Sequence, residues 1–190
     1  MTTPTTSTTK RSQLPAPGTY QLDPPHTFVF FAAQHKIVGK VRGRFDKTVG
    51  TVTVDEDPAA CAVDVTIEAT SIDTQNSVRD NDLRGSDFFQ AAKSPTITYR
   101  GRGIRPTDAG WVIDGSLEIR GITKVVPLTF TFRGTAPSEP GKGSRIAFHA
   151  LGGIKRAEFG MVRELASEIG ANKGVDVTIE VDTEALAVVK

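Results

Sequence analysis

The sequence predicts an all-β fold in which antiparallel strands close on themselves, and two observations carry this prediction. First, apolar and polar residues alternate strictly at 61–70, 111–120, 126–133 and 175–182. Because side chains on a strand point to opposite faces with a period of two, each segment has one dry face and one wet face. Second, no long helical segment separates the strands, which favours antiparallel neighbours over a parallel sheet.

The first strand is predicted at 26–35, after a bend at Pro24 and Pro25, where the rings fix φ. This strand is apolar on both faces. One face carries Thr27, Val29, Phe31, Ala33 and His35, and the other carries Phe28, Phe30 and Ala32. We therefore expect its outer face to be covered by a helix, a terminal segment or a second subunit.

The same alternation and the intervening turn residues predict the remaining strands. The glycines of the second strand favour a bent or bulged strand at a barrel corner. These strands are expected at 39–45, 49–54, 60–70, 96–103, 110–120, 124–133, 144–152 and 175–183. A loop is predicted at 137–143, and a longer connection with a helical turn near 164–169 is predicted at 161–174.

One region, residues 77–93, predicts one or two short helices. Ser77 is expected to cap the first helix, with Asp80 in the capping-box position and Gly85 at its end. Ser86 is expected to cap a second helix that stops before Pro95.

The first 18 residues are rich in Thr, Ser and Pro and poor in large apolar residues. Such a segment buries too little surface to offset the entropy of ordering, so 1–18 is predicted to be a disordered leader and 19–190 one folded domain. The leader has no apolar segment of the kind that a secretory signal needs, which predicts a cytoplasmic location. Nowhere does the chain contain the roughly 18 consecutive apolar residues of a membrane-spanning helix.

Composition and charge narrow the classes of function. The net charge is +1, and no block of Lys and Arg is present, which argues against nucleic acid as a partner. The single cysteine, Cys61, excludes an intramolecular disulfide, and its place in an apolar row predicts a buried, inert thiol.

Candidate catalytic and metal-binding residues are few. The histidines His26, His35 and His149 show no metal-ligand spacing, so no metal site is predicted, and His35 is expected inside the barrel. The carboxylates Asp73, Asp80, Asp82 and Asp87 are compatible with acid–base chemistry, but helix capping and pairing with Arg79 or Arg84 is the favoured reading. No catalytic residue is predicted.

The candidate site is the apolar lining of the barrel. An eight-stranded barrel can also fill its interior with side chains, so a solid core stays an alternative. A cavity is favoured by small inward residues (Ala33, Ala69, Gly115, Ala150 and Gly152) and by Phe88 and Phe89, which suit an apolar cover at one end. The predicted ligand-binding residues are Val29, Phe31, His35, Phe45, Ile67, Ile72, Phe88, Phe89, Tyr99, Ile113, Leu117, Leu128, Phe130, Phe132, Phe148 and Phe159.

An ordered set of segments across 19–189 resembles the YceI-like family. The segments are 23–31 with the later His35, 41–45, 69–74, 79–80, Leu83, 87–89, Pro95, Gly115, Leu117, 121–124, Val126, Arg156 and 159–160. The resemblance implies an extended, lipocalin-like eight-stranded antiparallel barrel that binds a polyisoprenoid or another long apolar molecule in its pore. It implies no established catalytic residues, and it implies dimers. Many relatives are exported, whereas this sequence shows no signal.

Three hypotheses of function follow. The first is a non-enzymatic protein that binds, stores or transports an isoprenoid lipid, a polyprenyl chain or a quinone, with no covalent cofactor. It is expected to be a homodimer with transient membrane contact, and His35, Arg79 and Arg156 are candidates to meet the polar head of the lipid. The second is an enzyme on a hydrophobic substrate that uses Asp73, Asp80 or His35 as acid or base. The third is a solid barrel that serves as a dimeric scaffold.

Overall fold

The computed structural model describes residues 14–35, 39–137, 143–162 and 177–188, and at His35 only the backbone. Within these ranges it has ten strands and one α-helix, α1, at Ser77–Arg84. The strands are β1 Gly18–His35, β2 Gly39–Phe45, β3 Thr48–Val54, β4 Ala62–Glu68, β5 Ile72–Asp73, β6 Thr96–Thr107, β7 Gly110–Ile119, β8 Ile122–Ala136, β9 Arg145–Ile154 and β10 Val177–Ala187. Most of the leader, most of the loop at 137–143 and the helical turn at 164–169 lie outside the described residues.

The strands form one closed antiparallel barrel. Only Asp46 and Lys47 separate β2 from β3, and both strands pair with β1. A 3₁₀ turn at Ala69–Ser71 links β4 to β5, and these two pair with β3 and β2. The ten strands therefore act as eight, and the pairing of β10 with β1 closes the barrel. The predicted eight-stranded antiparallel barrel is confirmed.

The first strand differs from its prediction. β1 begins at Gly18 rather than at His26, and its register against β10 shifts between Leu22 and Thr27. Pro24 and Pro25 lie inside this shift. Proline has no backbone N–H group to donate, and the ladder is already irregular here, so no regular hydrogen bond is lost. The predicted bend is thus an irregularity within one long strand.

The helical region also differs in detail. Asn76 caps α1, because its side-chain oxygen accepts a hydrogen bond from the backbone N–H of Arg79, so Ser77 is the first helical residue and not the cap. Gly85 ends the helix as predicted. The second helix does not form: residues 86–93 are turns, and Gln90 has a positive φ of 50°, which an α-helix does not accommodate.

Two clusters of buried side chains pack inside the barrel. The larger lies at the end covered by α1, the helix end, and extends to the middle of the barrel; it includes Ile72 and Phe159. The smaller lies at the opposite end around Tyr20, Ile146 and Phe148. Leu14 packs against the smaller cluster, upstream of the predicted domain start at residue 19.

Candidate ligand cavity

A cavity of about 260 Å³ lies inside the barrel. Its wall includes Leu83 and Phe89 at the helix end and Val54 and Cys61 at the opposite end. Both ends are therefore reached by one interior space, and the wall is built mostly from inward residues of the strands. The solid core that sequence left open as an alternative is not what the structure shows.

Most of the predicted binding residues line this cavity. They are Val29, Phe31, Phe45, Ile67, Phe88, Phe89, Tyr99, Ile113, Leu117, Leu128, Phe130 and Phe148. The side chain of His35 lies outside the described residues. Contact of the lining residues with a ligand stays a prediction, because the positions establish only that they face the space.

Three predicted residues do not face the cavity. Ile72 and Phe159 are almost fully buried but act as packing, Ile72 on β5 beyond the 3₁₀ turn and Phe159 in the 3₁₀ segment Arg156–Phe159. Both residues lie outside the segments of strict alternation, so the two-residue period does not give the direction of their side chains. Phe132 packs against Phe148, with ring centroids 5.6 Å apart, just before a register shift between β8 and β9.

Sequence reasoning also missed many lining residues. Three of them, Val177, Ile179 and Val181, alternate along β10, so the signal was the same pattern that identified the strand. Val63 and Val65 on β4 are a second such case. Other lining residues lie outside the regular strands, so the alternation of apolar and polar residues could not identify them. These are Leu14, Leu83 and Met161.

The inward glycines do not create the free volume, contrary to prediction. A Cβ at Gly115 would overlap the Tyr99 ring, and a Cβ at Gly152 would overlap Leu128 Cδ2. Each missing side chain is replaced by a large one from the neighbouring strand. Gly115 and Gly152 therefore allow dense packing in the wall, and the cavity lies further toward the barrel axis.

An aromatic cluster borders the cavity at the helix end. The rings of Phe31 and Phe45 lie 5.7 Å apart, and Phe89 meets Phe45 edge to face at 5.6 Å. The backbone N–H of Phe89 donates to Leu83 O, which ties the turn at 86–93 to α1. The apolar cover expected from Phe88 and Phe89 is thus placed at this end.

The loop that carries the cover is held by a buried polar network. Asp80 Oδ1 accepts hydrogen bonds from Thr74 N at 2.9 Å and from Thr74 Oγ1 at 2.6 Å. Arg79 donates to Thr74 Oγ1 and to Thr74 O. Asp80 is therefore not a capping-box residue, and Arg79, a predicted contact for a lipid head, does not line the cavity. Arg156 does.

Few lining residues carry an ionisable side chain. Among the described lining residues these are Cys61, Tyr99 and Arg156. Burial raises the pKa of Tyr99 well above its ordinary value, so its hydroxyl stays neutral, and it lies within hydrogen-bond distance of Ile113 O and Val126 O. The proposed acids Asp73 and Asp80 do not line the cavity. Among the described residues, no carboxylate lines the cavity in the way that the second hypothesis requires.

Among the described residues, two groups of side chains have the spacing of a metal site. The first group consists of Asp23, His26 and Glu184. The Arg145 guanidinium contacts both carboxylates of this group and therefore already neutralises their negative charge. The second, His149, Glu180 and Asp182, is largely exposed at the barrel surface. Neither group lines the cavity.

Among the described helices, none has the length and the apolar character needed to cross a membrane. The outer face of β1 carries a stacked pair, Phe28 and Phe30, with centroids 5.9 Å apart, and Phe28 is 41% exposed. The outer apolar face that the sequence predicted is therefore present in the isolated chain.

Known proteins resemble this chain in sequence and in structure. A sequence profile of the YceI-like domain matches residues 20–185. Protein YceI of Escherichia coli O157:H7 is 37% identical over 158 residues, which cover 83% of this chain and 81% of that protein.

Two solved structures share the barrel. A YceI protein of Campylobacter jejuni superposes with a TM-score of 0.66 at 28% identity, over 82% of this chain and 90% of that one. A polyisoprenoid binding domain from Saccharophagus degradans superposes with a TM-score of 0.63, over 89% of this chain and 98% of that one. At 18% identity this second likeness shows the fold alone.

Proposed function

The chain belongs to the YceI-like family, and from this premise we propose that it binds, stores or transports an isoprenoid lipid without catalysis. The observation that carries the proposal is the cavity inside a closed barrel, with a wall that is almost wholly apolar. Support also comes from the Saccharophagus degradans domain, which is described as polyisoprenoid-binding and shares this fold.

The energetics suit a carrier. Transfer of each methylene from water to an apolar site contributes about 0.8 kcal/mol, so part of a prenyl tail suffices to drive binding. Association and ordering of the chain oppose this gain. A bilayer is as apolar as the cavity, so exchange between membrane and protein is near balance. The protein would thus carry or shield a lipid and release it again.

The cavity volume sets a limit on the ligand. Ligand pockets usually enclose about 300–1,000 Å³, and this one encloses about 260 Å³. This volume is slightly below that range and therefore suits a short prenyl chain. A long polyprenyl chain or a quinone would have to displace side chains of the wall. We propose that Phe31, Phe45 and Phe89 are the side chains that move, because they border the cover.

The polar head of the lipid is proposed to lie at the helix end. Arg156 lines the cavity there, next to the segment Arg156–Phe159, and a guanidinium pairs well with phosphate or carboxylate oxygens. The homodimer is proposed to form through Phe28, which is exposed, and the half-buried Phe30 stacked on it, so that a second copy would cover both rings. The transient membrane contact and the cytoplasmic location stay predictions.

The test of the proposal is binding of farnesol, a short prenol, to delipidated protein, followed by native mass spectrometry and calorimetry. Ala150→Phe places a ring in the cavity, because Ala150 lines it. Leu151→Phe is the matched control, since Leu151 is the next residue of β9 and is half exposed on the outer face. We expect a one-to-one complex with wild type and with Leu151→Phe, and loss of binding with Ala150→Phe.

Ala33→Phe supplies a second block from β1 in case the first variant does not fold. Circular dichroism and thermal unfolding establish that each variant is folded. Wild-type protein that takes up no prenol, or folded blocked variants that bind as well as wild type, would overturn the proposal.

A further inference from the structure

The ladder between β1 and its neighbours β2 and β3 is interrupted. Pairing of β1 with β3 ends at Gln21 and Thr51, and pairing of β1 with β2 begins at Val29 and Phe45. Thr48, the first residue of β3, lies in this interruption just after the bend at Asp46 and Lys47. Thr27 and Thr48 both line the cavity at this interruption, and no regular ladder joins them.

The hydroxyl of Thr48 is buried and unpartnered. Thr48 is only 3% exposed and lines the cavity. In the part of the chain that the structure describes, its Oγ1 has no hydrogen-bond partner. A buried hydroxyl without a partner loses its hydrogen bonds to water on folding and gains nothing in return. Such an atom in the wall of a cavity needs an explanation.

The neighbouring hydroxyls do not supply the missing partner. Thr27 Oγ1 lies 2.9 Å from Asp23 O and 2.8 Å from Thr183 Oγ1, so these two threonines satisfy each other and the backbone. The hydroxyl of Tyr99 is directed at Ile113 O and Val126 O. Among the described wall residues, Thr48 is therefore the one with a buried hydroxyl that has no hydrogen-bond partner.

We propose that Thr48 is a specificity-determining residue that donates a hydrogen bond to a hydroxyl or carbonyl oxygen of the bound lipid. This inference rests on the proposed function and refines it, because it makes the cavity selective for oxygen-bearing isoprenoids over hydrocarbons of equal length. An apolar wall alone would favour the hydrocarbon, because the buried oxygen of the other molecule would lose its hydrogen bonds to water without replacement. An ordered water on Thr48 is the competing explanation, and the test separates the two.

The experiment compares two probes of equal carbon number, farnesol and farnesene, on three proteins. Thr48→Val removes the hydroxyl and keeps the shape of the side chain. Thr131→Val is the matched control, because Thr131 carries the other buried hydroxyl without a partner among the described residues but does not line the cavity. We expect Thr48→Val to weaken farnesol binding about three- to tenfold, the effect of one lost hydrogen bond. Binding of farnesene should be unchanged, and Thr131→Val should change neither affinity.

A conservative variant checks the role of the hydroxyl. Thr48→Ser keeps the donor and should retain the preference for farnesol, and Thr48→Ala repeats the deletion should valine not be accommodated. If wild type binds both probes and the deletions change both affinities equally or not at all, Thr48 has a bound water or a structural role and the inference fails while the function stands. If wild type binds neither probe, the proposed function fails.

Discussion

The ring of Tyr99 lies over the bare Cα of Gly115, in the space that any larger side chain at position 115 would need. The two residues sit on neighbouring strands, since β6 and β7 pair with Tyr99 opposite Leu117 and Gly101 opposite Gly115. The Tyr99 hydroxyl then reaches Val126 O at 2.9 Å, on the strand beyond. One side chain thus spans three strands of the wall because the middle one carries glycine.

Gly115→Ala should destabilise the barrel by about 1–3 kcal/mol, the usual cost of overpacking a dense interior. The added methyl would meet the ring of a buried side chain whose hydroxyl is fixed by backbone carbonyls, so the ring has little freedom to move away. Urea unfolding followed by circular dichroism measures the free energy of unfolding.

A double-mutant cycle identifies the clash as the cause. Tyr99→Leu should remove most of the cost of Gly115→Ala, whereas Tyr99→Phe keeps the ring and should not. An alanine at 115 that costs the same in all three backgrounds would show that backbone strain, and not Tyr99, is responsible.

The barrel and its inner faces could be predicted because alternation depends only on the geometry of a strand. Val63, Ile113, Leu128 and Ile179 all lie on the face that the pattern indicated. The effect of the inward glycines could not be predicted. Whether Gly115 leaves a hole depends on the side chain that a neighbouring strand presents across the ladder, and the sequence of one strand does not contain that information.

The misplaced site residues have a similar origin. Ile72 follows a 3₁₀ turn and Phe159 is the last residue of another, and residues in or next to such a turn do not keep the two-residue alternation of a strand. At the helix, Asn76 and Ser77 are both good caps, and the choice between them is made by the loop that precedes α1. Thr48 was not recognised because a threonine at a strand start is unremarkable until its surroundings are known.

Asp80→Ala should destabilise the protein by about 1–3 kcal/mol, because the buried N–H and hydroxyl of Thr74 lose their acceptor. The effect should be concentrated in the cover, since this network joins β5 to α1. Hydrogen exchange measured by mass spectrometry should show faster exchange across 74–91 than in the strands. Asp82→Ala, an exposed position on the same helix, is the control and should change neither quantity. Uniformly faster exchange throughout the barrel would contradict a local role.

Acid should weaken the ion pairs by which Arg145 on β9 joins Asp23 on β1 and Glu184 on β10. Arg145 donates to Asp23 and to Glu184, and its hydrogen bond holds the pKa of Asp23 below the ordinary value of 3.8. A carboxyl with a lowered pKa stabilises the fold above its unfolded pKa, and this contribution disappears as the pH falls through the folded pKa. The stabilisation by the Asp23–Arg145 ion pair is therefore fully present above about pH 5 and decreases below about pH 4.

The measurement is the free energy of urea unfolding between pH 3 and pH 7, for wild type and Asp23→Asn. The difference between the two proteins should be present at neutral pH and shrink in the acid range. Glu68→Gln is the control: the pKa of Glu68 is also lowered, by a hydrogen bond from Thr70, but its exposed position predicts little effect on stability. A difference that is the same at pH 3 and pH 7 would rule out the charge of Asp23 as the stabilising element.

Phe89→Ala should speed the release of a bound prenol about two- to tenfold, the effect of losing one edge-to-face aromatic contact. Phe89 meets Phe45 at the helix end, so its removal widens the exit from the cavity while most of the wall stays intact. Stopped-flow displacement of a fluorescent prenol analogue gives the dissociation rate. Phe28→Ala is the matched control, because it deletes the same ring from the exposed outer face of β1. Since affinity changes arise mainly from dissociation, the association rate should change less. Equal dissociation rates in wild type and Phe89→Ala would place the exit at the opposite end, near Val54 and Cys61.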